Sequence, residues 1–396
     1  MAKLAILYTT FPRPTETFIR RELKGLFKLG VHPDLYSIWK GSKTWEGKEI
    51  YLFSLWKIVT LLIWIPYWAW RRPDAFKSIL THLWANPCPN LQNWNETFLG
   101  LACALVESSS FKKKKYTQMH AVWATMPSTT ALGCNLLTNI PFSVGAHAYD
   151  VFRDRGDWLL KLKLNRSSFV RTSSESTATR LKSLGVDKKK LKLIHRSLKP
   201  TDERESFRLV NTSYLSLLSV GRLVEKKGYF LLLEILYEMK RRKIPFQMKI
   251  IGGGPLKDDL SRERIRLRLE SNLLLLDHLK ESEIEKLYQL SDAFLFSGIV
   301  AANEDRDGIP NVIPEAMSHG LLILGSNKAG SSEAFVDRVS GFSLDPKNKE
   351  EWVDILHQFY KYPDRFKTIR ESAIAHSKRC FSSQENCLKL KNLFLS

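Results

Sequence analysis

Short runs of apolar residues alternate along this chain with longer stretches in which apolar residues recur every three or four positions. Residues 4–8 form the first apolar run, and residues 15–29 carry apolar side chains at helical spacing before the chain reaches Gly30. Runs of the first kind predict buried strands, and stretches of the second kind predict helices with one buried face. We therefore expect a strand over 4–8 and a helix over 15–29.

The same alternation continues into the C-terminal half of the chain. We predict further strands at 116–121, 142–145, 169–172, 192–195, 214–220, 247–252, 273–277, 293–296 and 321–324. Residues 200–208 are polar and charged, and we interpret them as a linker. Strands that alternate with helices predict an α/β fold with parallel sheets covered on both faces. A length of 396 residues favours two domains.

The polar loop and helix after the predicted strand 293–296 contain the most informative chemistry. Asn311 is suited to cap a helix, and Pro314 falls in the first turn of that helix. Asp307 and Glu315 then flank a helix start at the carboxyl end of a strand, where open α/β sheets bind ligands. Backbone N–H groups there suit a phosphate. Carboxylates beside a phosphate suit hydroxyl groups, so the pattern indicates a nucleotide sugar.

Residues 51–70 form an apolar, aromatic segment with a single charge, Lys57. The segment is long enough to cross a bilayer, but Pro66 interrupts it and its tryptophans are spread through its second half. Arg71 and Arg72 follow it directly, as at a membrane interface. The sequence leaves three alternatives open, which are an interfacial helix, buried helices of the first domain, and a membrane span.

The formal net charge of +20 predicts attraction to phosphates, nucleic acid or an anionic membrane surface without selecting among them. The basic runs are scattered and no nucleic-acid-binding module is visible, so we expect no nucleic-acid partner. The five cysteines are widely spaced, with no C-x-x-C pair. They predict reduced thiols in a cytoplasmic protein and neither a disulfide framework nor a zinc site.

Five stretches, taken in chain order, resemble motifs of the family-four GT-B glycosyltransferases, in particular the colanic-acid and exopolysaccharide branch. They are TTFPRPTETFIRRELKGLFKLG, IPFSVGAHAYD, SVGRLVEKKG, MKIIGGGP and the stretch in which seven residues separate Asp307 from Glu315. Five ordered matches are far more specific than any one of them. The chain departs from the family at Asp307, where Glu is usual, and at residues 194–197, where relatives usually have a turn that contains glycine.

The resemblance implies the GT-B fold, with two Rossmann-like domains facing a cleft. Residues 1–199, including 51–70, would bind the acceptor, residues 210–365 would bind the donor, and a helical tail over 366–396 would pack back on the N-terminal domain. The implied activity is that of a hexosyltransferase-type glycosyltransferase in cell-surface polysaccharide or glycolipid biosynthesis. It would move a sugar from a nucleotide-diphosphate sugar to a saccharide or lipid-linked saccharide, with retention and without a metal or other cofactor.

The resemblance further implies a cytoplasmic protein, peripheral at the inner face of the cell membrane, where an anionic surface is a candidate partner. The alternative is a non-catalytic GT-B-like subunit that binds a sugar or scaffolds a partner enzyme, and the replacement at Asp307 favours it.

The resemblance also implies roles for individual residues. Arg222 and Lys227 would bind the donor diphosphate, which suits the need for fixed cations where charge develops on a leaving phosphate. His147 and Asp307 would be the catalytic residues, and Glu315 would bind the ribose. The other candidates are Gly308, Ile309, Pro310, Asn311 and Val312 beside the donor, Gly252, Gly253 and Gly254 near the nucleotide, and Thr15, Glu16 and His120 in acceptor-side loops.

Overall fold

The computed structural model describes residues 3–13, 16–198, 213–328 and 330–395, and the chain forms two compact units. The N-terminal unit comprises Met1–Ser197 together with Ser383–Ser396, and the C-terminal unit comprises Leu198–Ser382. The predicted linker, 200–208, lies outside the described residues.

The N-terminal unit is built on an eight-stranded sheet. Its strands are β1 (Leu4–Phe11), β2 (Asp34–Gly41), β3 (Thr44–Trp45), β4 (Lys48–Leu52), β5 (Gln118–Ala121), β6 (Phe142–Gly145), β7 (Val170–Thr172) and β8 (Leu191–Leu193). They lie in the order β3-β4-β2-β1-β5-β6-β7-β8, and every pair is parallel except β3 with β4. The sheet grows outward in both directions from β1 and β5. Their carboxyl ends are therefore the point at which a doubly wound sheet binds ligands.

The described residues of the first part of the chain form eight helices around this sheet. They are α1 (Thr17–Lys28), α2 (Leu61–Arg71), α3 (Pro73–Ala85), α4 (Leu91–Lys113), α5 (Met126–Thr138), α6 (Tyr149–Phe152), α7 (Leu160–Arg166) and α8 (Glu175–Ser183). Helices α4 and α5 pack closely because small residues meet at their crossing. A Cβ on Gly133 would lie only 2.5 Å from the Cβ of Ala104, so a larger residue there would push the helices apart.

The C-terminal unit contains a fully parallel six-stranded sheet. Its strands are β9 (Leu215–Val220), β10 (Phe246–Ile251), β11 (Leu273–Leu276), β12 (Ala293–Phe296), β13 (Leu322–Ser326) and β14 (Phe342–Leu344). Their order is β11-β10-β9-β12-β13-β14, so the direction of growth reverses between β9 and β12. The strands are buried, as expected for a parallel sheet between two helical layers.

The helices of the C-terminal half are α9 (Tyr229–Arg241), α10 (Lys257–Arg266), α11 (Glu281–Leu290), α12 (Val312–Ser318), α13 (Lys349–Lys361), α14 (Lys367–Cys380) and α15 (Ser383–Leu395). The last two belong to different units. Helix α14 packs in the C-terminal unit, where Arg370 Nε donates a hydrogen bond to the Gly320 carbonyl at 2.6 Å. Helix α15 packs on α1, and its Leu390 and Phe394 enter the core beside Leu23. Of the predicted tail, 366–396, the second helix is thus the one that lies against the N-terminal unit.

Every strand that the sequence predicts is present, with ends shifted by three residues at most. The predicted helix over 15–29 corresponds to α1, which runs over Thr17–Lys28. The pattern missed β2, β4, the two-residue β3 and the three-residue β14. Polar or glycine positions interrupt the apolar runs of β2 and β4, and β14 is shorter than a pattern search detects.

The apolar segment 51–70 divides into the end of β4, a 3-10 turn over Leu55–Thr60 and most of α2. Trp68 is 3% exposed, and its Nε1 donates to the Leu105 carbonyl at 2.9 Å. Trp56 and Trp70, in contrast, are 86% and 81% exposed. One side of the segment therefore packs on α4, and the other remains outside the core. Among the described residues, no helix is long and apolar enough to cross a membrane.

Candidate active site

In the C-terminal unit, the loops that follow β9 and β12 are pressed together at the carboxyl edge of the sheet. The loop after β9 contains Arg222 and a 3-10 turn over Glu225–Lys227, and ends at Gly228. Gly228 has φ +65°, and a Cβ there would lie 2.0 Å from the Ser297 carbonyl oxygen. Only glycine permits this approach, so it fixes the basic loop against the start of the acidic one.

Two lysines of the first loop form ion pairs with two aspartates of the second. Lys227 Nζ lies 2.6 Å from Asp307 Oδ2, and Lys226 Nζ lies 3.0 Å from Asp305 Oδ1 and 3.6 Å from Asp307 Oδ1. The side chains of both lysines are largely buried. The structure thus joins a predicted diphosphate ligand, Lys227, to a predicted catalytic residue, Asp307.

Burial and charge act in opposite directions on this pair. Burial lowers the pKa of Lys227, against the raising effect of Asp307. Burial would raise the pKa of Asp307, but Lys227 and Lys226 outweigh it and hold that pKa below its usual value. Asp307 is therefore ionised at neutral pH and compensates the buried lysines. Arg222, by comparison, is exposed, and within the described residues no carboxylate forms an ion pair with it.

The glycine-rich turn after β10 joins the same edge. A Cβ on Gly252 would lie 2.0 Å from the Gly221 carbonyl oxygen, and one on Gly254 would lie 2.4 Å from the Leu223 carbonyl oxygen. The Leu223 N–H donates to the Gly253 carbonyl at 2.9 Å. The turn therefore supports the backbone on both sides of Arg222, and a Cβ on Gly253 itself would meet nothing within 4 Å.

The stretch from Asp307 to Glu315 leads into α12. Asn311 occupies the position before the helix but has helical φ and ψ, and its side chain makes no capping hydrogen bond, contrary to the prediction. Gly308, Ile309 and Pro310 lie between Asp307 and Asn311, and Val312 is the first helical residue.

Glu315 lies in the first turn of α12 and is half-buried. Its Oε2 accepts a hydrogen bond from the hydroxyl of Tyr288, on α11, at 3.2 Å. The sequence analysis did not identify Tyr288, Lys226 or Asp305. Only the adjacency of Lys226 to Lys227 offered a signal.

In the N-terminal unit, His147 follows β6 in a loop held by Asp150. The Asp150 carboxylate accepts backbone N–H bonds from His147 at 3.1 Å, from Ala148 at 2.8 Å and from Ala124 at 3.0 Å. His147 is 3% exposed, and its ring lies edge-on to Trp123 with 5.5 Å between centroids. Burial, aided by nearby Arg196, lowers the pKa of His147 well below its usual value, so the imidazole is neutral.

The remaining acceptor-side candidates are separated in the fold. Glu16 directly precedes α1 and lies 3.6 Å from Arg13, whereas Thr15 lies outside the described residues. His120 lies within β5 itself, with Nδ1 2.9 Å from the Ser143 hydroxyl and its ring 5.0 Å from that of Phe394 on α15. Burial lowers the pKa of His120 to about 3. The geometry thus gives His120 a packing contact with the C-terminal helix.

The C-terminal part of the chain, which carries the candidate site, is similar to a known family. Residues 201–376 match the family described as Glycosyl transferases group 1, and this span contains Arg222, Lys227, Asp307 and Glu315. This match over part of the chain confirms the resemblance found in the sequence.

Two similar proteins are bacterial and have names in polysaccharide biosynthesis. The amylovoran biosynthesis glycosyltransferase AmsK of Erwinia amylovora is 30% identical over 163 residues, which are 41% of this chain and 40% of AmsK. WcaL of Escherichia coli K12, provisionally named a colanic acid biosynthesis glycosyltransferase, is 28% identical over 185 residues, 46% of this chain and 45% of WcaL. The matched stretch therefore spans less than half the length of either relative.

Solved structures extend the similarity in fold to the whole chain. HepE of Anabaena, solved in complex with UDP and glucose, has a TM-score of 0.71 at 15% identity and covers 100% of both chains. A glycosyltransferase from Rickettsia africae has a TM-score of 0.68 at 15% identity and covers 99% of this chain and 98% of its own. Together with the two parallel sheets, these similarities confirm the predicted GT-B fold.

Proposed function

We propose that this protein is a hexosyltransferase-type glycosyltransferase that moves a sugar from a nucleotide-diphosphate sugar to a saccharide or lipid-linked saccharide acceptor. The observation that carries the proposal is the contact between Lys227 and Asp307 at the point where the C-terminal sheet reverses its direction of growth. Open parallel sheets bind nucleotides at that point. The contact lies within the span that matches the glycosyltransferase family.

The two cations at this edge have different parts in the proposed reaction. Departure of the nucleotide diphosphate leaves negative charge on its phosphates, and fixed cations lower the barrier where that charge develops. Arg222 is exposed and presents a planar fork for phosphate oxygens. Lys227 is held by Asp307 until the diphosphate shares its positive charge. No step of this scheme draws on a metal or another cofactor, so we expect turnover to survive chelation by EDTA.

Hydroxyl recognition completes the proposed donor site. Asp307 is an ionised acceptor suited to a hydroxyl of the donor sugar, and Glu315, already bonded to Tyr288, is suited to the ribose hydroxyls. The neutral imidazole of His147 is suited to a hydrogen bond with the reacting sugar, and not to charge stabilisation. Retention at the anomeric carbon is part of the proposal and comes from the family resemblance.

The proposed acceptor and location follow from the relatives and from the surface of the N-terminal unit. AmsK and WcaL bear names in exopolysaccharide synthesis, which supports a saccharide or lipid-linked acceptor. The five cysteines, all within the described residues, form no disulfide, which supports a reducing, cytoplasmic location.

An exposed apolar face on the 3-10 turn over Leu55–Thr60, α2 and α3 supports attachment to a membrane. We define this membrane face as the exposed residues Trp56, Leu62, Ile63, Trp70, Leu80 and Trp84. Lys57, Arg71, Arg72 and Lys77 are on the same elements, against one acidic residue, Asp74. Tryptophan and basic residues together favour the interface of an anionic bilayer. We propose that the protein binds peripherally at the inner face of the membrane.

A thermal-shift panel of nucleotide diphosphates and their sugars tests the proposed function, because a ligand that binds the folded state raises its stability. We expect one nucleotide to raise the melting temperature, and Arg222→Ala to weaken that response and reduce turnover at least tenfold, as for loss of a charge-assisted contact of about 1.5–3 kcal/mol. Lys112→Ala, on the exposed end of α4, is the matched control.

Two results would contradict the proposed function. Equal nucleotide affinity in Arg222→Ala and the wild type would remove the donor site. Nucleotide binding without transfer or hydrolysis of any donor sugar, over a broad panel of acceptors, would instead identify a non-catalytic subunit.

A further inference from the structure

Arg196 is a buried cation in the N-terminal unit that the proposed reaction does not use. It follows β8 at the carboxyl edge of the sheet, in the segment where the sequence departs from the glycine-containing turn of its relatives. Arg196 is 8% exposed. Arginine is rarely buried to this extent without a paired carboxylate, so its surroundings need an explanation.

Aromatic rings hold Arg196 in place. Its guanidinium carbon lies 3.6 Å from the ring centroid of Phe18, on α1, and 5.3 Å from that of Trp123, directly after β5. Such contacts stabilise a cation and leave the N–H groups at the guanidinium edge available for hydrogen bonds.

Glu22, Glu16 and Asp150 favour this charge from a distance, without pairing with it. Over the part of the chain that the structure describes, no Asp or Glu oxygen forms an ion pair with Arg196. The nearby Glu22 carboxylate is taken by Arg171, whose two terminal nitrogens donate to it at 2.7 and 2.5 Å. Burial lowers the pKa of Arg196 to about 10, so it keeps its charge at neutral pH. The protein thus bears the cost of a desolvated charge that a bound anion would offset.

A second unpartnered polar group contacts the same tryptophan. The ring of His147 packs edge-on against Trp123, and its buried Nδ1 makes no hydrogen bond with any described residue. Buried polar atoms are nearly always satisfied in folded proteins. Trp123 is therefore in contact with one cation that lacks an ion pair, Arg196, and with one unused hydrogen-bonding atom, His147 Nδ1.

We propose that Arg196, Trp123 and His147 form a subsite for an oxyanion carried by a saccharide acceptor, which is either the carboxylate of an acidic sugar or the phosphate of a sugar phosphate. The guanidinium fork matches the planar carboxylate and the phosphate equally well. His147 Nδ1 binds a neighbouring hydroxyl, and its other ring nitrogen remains for the hydrogen bond to the reacting sugar. The inference rests on the proposed function and adds to it that the acceptor is anionic.

Binding of small probes to the full chain distinguishes the two sources of the anion. The probes are glucuronate, glucose 1-phosphate and neutral methyl glucoside, titrated by calorimetry and followed by thermal shift. We expect glucuronate or glucose 1-phosphate to bind and methyl glucoside not to. Arg196→Gln should weaken that binding at least tenfold, whereas the exposed Arg166→Gln should leave it unchanged.

Stability measurements separate a ligand-binding residue from a structural one. Arg196→Met keeps the contact with Phe18 and removes the uncompensated charge, so its melting temperature should equal or exceed that of the wild type. A lower melting temperature together with unchanged probe binding would show that Arg196 is structural. Equal binding of all three probes, or of none, would equally overturn the proposal. The response to the nucleotide identified by the thermal-shift panel, which is expected to depend on Arg222, reports separately on whether the proposed function holds.

Discussion

The candidate site of the C-terminal unit and the Arg196 cluster of the N-terminal unit both lie at the carboxyl edges of parallel sheets, but they handle buried charge in opposite ways. In the C-terminal site, Lys227 and Lys226 are paired with Asp307 and Asp305. In the N-terminal cluster, Arg196 packs on aromatic rings and forms no ion pair with a carboxylate of the described residues. The neighbouring His147 is neutral.

This difference sets two ways in which the proposed sites would meet their ligands. A lysine paired with a carboxylate keeps its position without a ligand, but the ligand must compete with that carboxylate for the charge. An arginine held by ring faces is already free to bind an anion, and the folded protein bears the desolvation cost instead. The first arrangement suits a phosphate that arrives and departs in every cycle. The second suits selection of a charged acceptor.

Removing the paired lysine should have the largest effect. Lys227→Ala deletes a fixed cation and leaves Asp307 buried with weaker compensation, so we expect turnover to fall about a hundredfold, as for loss of a preorganised charge-stabilising group. Steady-state kinetics with the donor identified by the nucleotide panel measures this loss. Lys286→Ala, on the exposed face of α11, is the control, and an equal loss in both variants would refute the assignment.

Removing the partner carboxylate should separate binding from transfer. Asp307→Asn frees Lys227, so nucleotide affinity should stay the same or rise, while turnover falls about tenfold because a charge-assisted contact to the sugar is lost. Asp305→Asn, which touches Lys226 alone, should have a smaller effect on turnover. If Asp307→Asn abolished nucleotide binding, the ion pair would be structural support for the loop and not a reserve of charge.

The N-terminal unit should lose stability in mild acid. Burial lowers the pKa of His147 well below 6.5 and that of His120 from 6.5 to about 3, so the unfolded chain binds these protons at a higher pH than the folded one. Stability is then fully present above about pH 6.5 and falls as the pH decreases, by about 1.4 kcal/mol per pH unit for each histidine. Denaturant unfolding between about pH 7 and pH 5 measures the change of the free energy of unfolding with pH. That change should be smaller in His120→Asn and in His147→Asn than in the wild type. An unchanged slope would show that these side chains are solvated.

Substitutions in the membrane face should have the smallest effect, a several-fold loss of liposome binding. Replacing Trp56 and Trp70 with Ser removes exposed rings from the membrane face without touching the buried Trp68. The double variant should sediment less with anionic liposomes at low salt than the wild type does. Sedimentation of the wild type should decrease as the salt concentration rises. Leu290→Ser with Tyr362→Ser, exposed apolar residues of the C-terminal unit, is the control pair. Equal sedimentation of all three proteins would exclude the membrane face.

The sequence predicted most of the fold because long apolar runs and helical periodicity are local signals. Strand β6 was predicted to the residue, and β12 likewise. Strands β2 and β4 escaped because polar or glycine positions interrupt their apolar runs, and the end of β4, Tyr51 and Leu52, merged into the apolar segment that follows. Periodicity also treated 51–70 as one element, whereas tertiary packing divides it and buries one side.

The candidate site was predicted in part, for the same reason. Arg222, Lys227, Asp307 and Glu315 stand in recognisable motifs, and their roles remain predictions. The ion pairs of Lys226 with Asp305 and of Lys227 with Asp307 join positions 79 and 80 residues apart in the chain. No local pattern encodes such a pairing.

By itself the sequence determined the two α/β units, their strand positions and the motifs of a glycosyltransferase, because these depend on periodicity and on residues that are close in the chain. Only the tertiary structure decided which charges are compensated. Arg171 is balanced by Glu22, 149 residues away, while Arg196 is left with Phe18 and Trp123. Whether a buried charge is satisfied depends on distant side chains that meet only when the sheet is assembled, and that is why no sequence pattern indicated the proposed subsite.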